Sequence, residues 1–157
     1  MIQIGQMDPN LATMILLVFG ISGVTASVIF NRLYRLGATQ FIIHAILLLA
    51  ISLGFMLTSA GYTATMFALA FIWGIGISCI GLALQMRVLQ LAPDATDVAS
   101  AIYSGIFNAG IGAGALFGNQ IARHIGIEYI GFSGAALAII ALGIFVFFNF
   151  RYRTQNA

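Results

Sequence analysis

Charged residues are sparse along this chain, and the stretches between them are apolar. Residues 9–31 run uncharged from Asp8 to Arg32, residues 36–86 from Arg35 to Arg87, residues 98–122 from Asp97 to Arg123, and residues 129–150 from Glu128 to Arg151. A transmembrane helix needs roughly 20 apolar residues. The run 36–86 is too long for one crossing and fits two, with a turn at Ser59-Ala60-Gly61-Tyr62-Thr63. The pattern predicts an all-α integral membrane fold of five helices, at about 11–34, 37–59, 63–91, 98–122 and 127–150. The third is longer than a span needs and is expected to project from the bilayer. A transmembrane barrel would need segments of about ten residues with alternating polarity, and stretches such as FIIHAILLLAISLGFML do not alternate. Between the third and fourth helices lies a polar corner, Ala92-Pro93-Asp94-Ala95-Thr96-Asp97. Pro93 and the Asp/Thr cluster stop one helix, and Asp94, Thr96 or Asp97 is expected to cap the next.

Composition sharpens the class. The 157 residues are 61% hydrophobic and only 6% charged, against about 25% charged in soluble domains. A soluble core of this size would lack the polar surface to cover it. The net charge of +2, with no lysine and no basic run, does not suggest nucleic-acid binding. A single cysteine, Cys79, excludes an internal disulfide and a cysteine-cluster metal site. The first residues, MIQIGQMDPN, lack the basic and apolar regions of a signal peptide. In the five-span arrangement Arg32, Arg35, Arg87, Arg151 and Arg153 fall on one side and Arg123 on the other. The positive-inside rule then puts the C-terminus in the cytoplasm. Transporters with internal repeats use three-helix units, so five spans suggest a six-helix half lacking one helix. Met1–Gly5 reads like the last turn of that helix.

The fourth helix carries the densest set of features. Gly110, Gly114 and Gly118 recur on one face, a pattern for close helix packing. Ala101, Gly105, Ala109 and Ala113 form a second small stripe. Ser104, Asn108 and Asn119 fall within about 60° of each other on an adjacent face. Neutral hydrogen-bonding groups of this kind suit sugars and other uncharged hydroxylated solutes; the alternative is interhelical hydrogen bonding. The third helix repeats the pattern with Gly74, Ser78, Gly81 and Gln85 on one face. Trp73 lies apart from that arc and suits either stacking on a sugar ring or a lipid-facing position. Arg87 reads as an anchor at the helix end, paired with Asp94 or Asp97. Ser22 and Thr25 share an arc of the first helix, but such side chains also bond their own backbone. His44, well inside a span, reads as a neutral interhelical donor or a proton relay. His124 sits beside Arg123 in a predicted loop.

Other chemistries find no support. Gly110-Ile111-Gly112-Ala113-Gly114-Ala115 matches a dinucleotide fingerprint, but it lies inside a helix and has no later ribose-binding acid before Glu128. No paired carboxylates and no Ser/His/Asp set can be assembled, so no catalytic residue and no enzyme is expected. Two distant histidines make no metal site, and no cofactor is expected.

The run from Gln85 to Ile121, QMRVLQLAPDATDVASAIYSGIFNAGIGAGALFGNQI, resembles the sugar efflux transporters of the major facilitator superfamily. These belong to its branch of drug/proton-antiporter-like bacterial exporters. The resemblance rests on the Ala-Pro-Asp-Ala-Thr corner, the Ser-Gly-Ile-Phe-Asn segment and Gly-Ile-Gly-Ala-Gly-Ala. A weaker likeness to the superfamily's G-x-L-A-D-R-x-G-R loop falls on Ser27, Ile29, Phe30, Asn31, Arg32, Tyr34 and Arg35. Both arginines fit, while Ser27, Asn31 and Tyr34 replace Gly, Asp and Gly. The resemblance implies that the five helices correspond to helices eight to twelve of a twelve-helix carrier, with the N-terminal half and most of helix seven missing. It also implies that the first, third and fourth spans line a central cavity, where Ser78, Gln85, Ser104, Asn108, Asn119 and Trp73 would meet the solute. The implied function is export of sugars or similar neutral solutes across the bacterial inner membrane by proton antiport. The expected partners are the lipid bilayer, a small neutral solute, and the N-terminal half or further copies of the chain. The alternatives are a small oligomeric membrane protein, a half-transporter with a separately encoded partner, or a non-functional truncated product.

Overall fold

The computed structural model describes residues 9–56 and 62–155. They form five helices: α1 Pro9–Leu33, α2 Ala38–Gly54, α3 Thr63–Leu91, α4 Thr96–His124 and α5 Ile130–Gln155. No strand occurs among the described residues. Segments within or spanning α1, α3, α4 and α5 are long and apolar enough to cross a membrane, and α2 is a shorter apolar helix. The turn expected at 59–63 and the end of the second span fall largely on residues 57–61, outside the described residues.

Local chemistry sets the helix ends. After α1 a single 3-10 turn, Tyr34–Leu36, leads to Gly37, whose carbonyl accepts from the Phe41 N–H as α2 begins. Pro93 follows α3 at once and opens a second 3-10 turn, Pro93–Ala95, because proline cannot continue a helix. The expected side-chain cap of α4 is corrected here. Ala95 occupies the capping position and no side chain caps the helix. Asp97 instead lies in the first turn, where its charge faces the positive end of the helix dipole. At the far end of α4, the N–H groups of Ile125 and Gly126 both reach the Ile121 carbonyl at 2.9 Å. Gly126 has φ 143°, a conformation that glycine adopts without steric cost.

The helices pack in sequence across the molecule. α3 lies along both α1 and α2, and α2 lies along α5. The core is built mainly from α1, α2 and α3, with Ala26, Ile42, Cys79 and Ala83 nearly or fully buried, and Ala138 of α5 joins it. Small residues bring these helices together. A Cβ on Gly76 would stand 3.2 Å from the Leu49 nitrogen of α2, and one on Gly131 would stand 2.6 Å from the Leu53 oxygen. Gly74 takes the fully buried Ser22 side chain of α1. The Ser22 hydroxyl donates to the carbonyl of Phe19 on its own helix.

α4 is the exception. It touches α3 and α5 only lightly. No neighbouring atom lies within 4 Å of a Cβ placed on Gly110, Gly114 or Gly118. The expected packing stripe therefore packs on nothing among the described residues.

Arg87 also departs from expectation. Its Nη2 donates to Thr39 Oγ1 at 3.2 Å rather than to Asp94 or Asp97, and its guanidinium lies 5.6 Å from the Phe145 ring centroid. Asn149 Nδ2 donates to the same Thr39 oxygen at 3.0 Å. This node ties α3 to α2 and α5 at one end of the bundle.

Candidate functional site

A groove of about 560 Å³ opens between α1, α3 and α4. It exists because α4 stands off the bundle that α1 and α3 share. From α3 it receives Ile77, Ser78, Gly81, Leu82 and Gln85, the polar arc read from the sequence without Gly74. From α4 it receives Tyr103, Ser104, Phe107, Asn108 and Ile111. From α1 come Phe19, Gly23 and Ser27, which succeed each other every four residues and so share a face.

Four of the six predicted solute-contact residues meet here: Ser78, Gln85, Ser104 and Asn108. Asn119 and Trp73 do not line the groove. Asn119 is exposed on α4, roughly 16 Å further along the axis than Asn108 at 1.5 Å per residue. Trp73 is half-buried against Phe19 of α1, with ring centroids 5.1 Å apart. Its ring thus packs behind the groove wall. His44 is exposed on α2, away from the groove, and its Nδ1 donates to the Gln40 carbonyl at 2.7 Å.

The lining offers hydrogen bonds without charge. No acidic, basic or histidine side chain lines the groove. Gln85, Ser78 and Ser104 make no side-chain hydrogen bond to a described residue, so their polar groups face the groove uncommitted. Asn108 Nδ2 donates to the Ser104 carbonyl at 2.8 Å, which holds the amide in place and leaves its oxygen as an acceptor. The Ser27 hydroxyl donates to the Gly23 carbonyl at 3.1 Å and retains acceptor capacity.

Aromatic rings complete the site, and the sequence reading missed them. The Tyr103 hydroxyl crosses from α4 to donate to the Gly81 carbonyl at 2.8 Å. Phe107 stacks beside it, with centroids 5.8 Å apart and planes 30° from parallel. The Phe107 Cζ would lie 3.8 Å from a Cβ on Gly81, so this glycine opens the space that the ring approaches. One signal was available. Tyr103 and Phe107 each precede a polar residue of the Ser104/Asn108 stripe, and thus flank it on the helix wheel. Ser27, which the sequence places only in the loop motif, also lines the groove.

Among the described residues no group of three or more His, Cys, Asp or Glu side chains is placed to hold a metal. What the arrangement can do is offer an uncharged, hydroxylated molecule several donors and acceptors beside flat apolar rings. Such rings suit the C–H faces of a sugar as well as they suit other apolar surfaces.

No family model matches the chain. Curated relatives do. A Haemophilus influenzae protein named probable sugar efflux transporter is 61% identical over 153 residues, 98% of this chain and 39% of its own length. Proteins of the same name from Pasteurella multocida and Helicobacter pylori are 53% and 47% identical, each over 97% of this chain. The chain spans about 39% of the length of the relatives it matches. Identity at this level, over nearly the whole chain and on the helices that frame the groove, makes the chain a homologue of the proteins named probable sugar efflux transporter along the stretch it shares with them.

Proposed function

We propose that the chain forms the C-terminal part of a secondary active carrier of the major facilitator superfamily, exporting sugars or similar neutral hydroxylated solutes across the bacterial inner membrane. The groove is then one wall of the solute site, and the opposing six-helix half supplies the other. The observation that carries this reading is the uncharged groove, with Ser78, Gln85, Ser104 and Asn108 converging between α1, α3 and α4. Intramembrane polar groups that face a cavity mark solute pathways, and inward and outward rocking of two halves about such a site delivers alternating access. The names of the relatives support the solute class.

The same reading assigns sidedness. The node of Arg87, Thr39 and Asn149 gathers the ends of α3, α2 and α5 at the end where Arg32, Arg35 and Arg151 also lie. That basic end is the cytoplasmic one by the positive-inside rule. Proton antiport would draw its acidic carrier group from the other half, since no carboxylate lines this groove.

The test uses the complete carrier. Asn108→Ala and Gln85→Ala should each weaken solute export, raising the apparent KM about tenfold, the effect of one lost hydrogen bond of roughly 1–1.5 kcal/mol. Export of every solute at the parental rate and KM would remove both residues from the site. A second reading, in which the chain assembles with a separately encoded half or with further copies, is favoured by the uncovered glycine face of α4. Cross-linking in native membranes distinguishes the two by the mass of the product.

A further inference from the structure

We propose that Tyr103 is a specificity-determining residue of the groove: its hydroxyl, which donates to the Gly81 carbonyl, turns to an oxygen of the solute when one binds. The inference rests on the reading of the groove as one wall of a neutral-solute site, and it names the residue that reads one particular hydroxyl of that solute.

Three observations lead to Tyr103. The first is where its bond lies. Tyr103 and Gly81 both line the groove, so the 2.8 Å bond between them is part of the surface that a solute meets. The second is the state of the acceptor. Gly81 lies inside α3, where its carbonyl already accepts the N–H of Gln85 in the helix ladder. The Tyr103 bond uses the second lone pair of that oxygen. Giving it up leaves the carbonyl still bonded, and a hydroxyl that finds a solute oxygen is bonded too. The exchange therefore strands no polar group, which is where the large cost of a broken hydrogen bond arises. The third is what surrounds the bond. A Cβ on Gly81 would lie 3.9 Å from the Tyr103 oxygen and 3.8 Å from Phe107 Cζ, so the missing side chain leaves this part of the wall open. The Phe107 ring stacks on that of Tyr103 with planes 30° apart, which holds the phenol in place while its hydrogen turns about the C–O bond. Gln85 follows Gly81 by one turn on the same face of α3 and also lines the groove. A solute hydroxyl that donates to the Gln85 amide oxygen keeps its own lone pairs for the Tyr103 O–H. Tyr103 thus reads a solute oxygen held between α3 and α4.

The test is calorimetric binding to the complete carrier in mild detergent. The probes are the methyl glycosides of glucose, galactose and mannose and, for the tightest of them, its monodeoxy analogues. In the parental carrier the analogue lacking the oxygen that Tyr103 reads should bind about fivefold more weakly than its parent glycoside, the scale of one hydrogen bond. Tyr103→Phe keeps the ring and removes the donor. It should erase the difference for that one analogue and leave the differences for the others in place. The same bond also ties α4 to α3, but a purely structural role would weaken all the glycosides by a common factor. Ratios that all match the parental ones overturn the proposal. Should Tyr103→Phe fail to fold, 3-fluorotyrosine at position 103, a stronger donor of nearly the same size, should widen the difference for one analogue alone; unchanged ratios again overturn it. Binding of none of the glycosides to the parental carrier overturns the neutral-solute reading of the groove and this inference with it, whereas binding with unchanged ratios overturns this inference alone.

Discussion

Single glycines carry the closest contacts of this molecule, and the structure separates those that are in contact from those that are not. Gly131→Ala would put a methyl group 2.6 Å from the Leu53 carbonyl oxygen, a backbone atom that moves only with its helix. We expect it to destabilise the bundle by about 1–3 kcal/mol, the scale of overpacking. Gly114→Ala meets open space and should cost this chain nothing. Unfolding in mixed micelles, followed by circular dichroism, compares the two; equal midpoints would show that α2 and α5 do not approach as described. The contrast also marks how far the sequence could be read. Gly110, Gly114 and Gly118 are the most regular stripe and attract notice first, yet Gly74, Gly76 and Gly131 make the helix contacts. Spacing reports that a helix face is flat. It does not report what lies opposite.

At the level of elements, five helices were legible because uncharged stretches of the right length leave few alternatives in lipid. The polar arcs of the third and fourth helices, four of whose residues line the groove, were legible for the same reason, since polar side chains within a span are conspicuous. The aromatic part of the groove was not. Tyr103 and Phe107 have the composition of any lipid-facing or core ring, and only the approach of α4 to Gly81 distinguishes them. Arg87 was read toward the acids nearest in sequence, whereas its partners Thr39 and Phe145 come from helices brought in by tertiary packing. The bond from Tyr103 to Gly81 fastens a helix that has few other attachments. Tyr103→Phe keeps the ring and removes the bond. We expect a loss of roughly 0.6 kcal/mol, the average for interhelical hydrogen bonds in a membrane. Hydrogen exchange should quicken along α4 while α1 and α3 stay as protected as before. Unchanged exchange in α4 would mean that other contacts hold it.

For the molecule as a whole, the arrangement is one-sided. α1, α2, α3 and α5 cover one another in turn, while among the described residues of α4 only Ile121 is buried. The chain spans about 39% of its relatives' length, and under the proposed function the remainder covers the groove and the open face of α4. Two outcomes follow. The 157-residue chain alone, reconstituted in liposomes, should export no sugar above background, because one wall cannot alternate between two openings; export at the complete carrier's rate would refute the two-wall reading. Gly114→Leu should leave the stability of this chain unchanged, yet reduce assembly and export in the complete carrier. Unaltered export there would assign the face to lipid.

The loose seating of α4 also bears on how the protein is made. α4 is the least apolar of the four candidate spans, and it carries Ser104, Asn108 and Asn119 within its length. A helix partitions from the translocation channel into lipid according to its summed side-chain transfer energy, so α4 has the weakest tendency of the four to leave that channel unaided. Its commitment to the bilayer then depends on neighbours emerging during synthesis, with α3 already in place and α5 close behind.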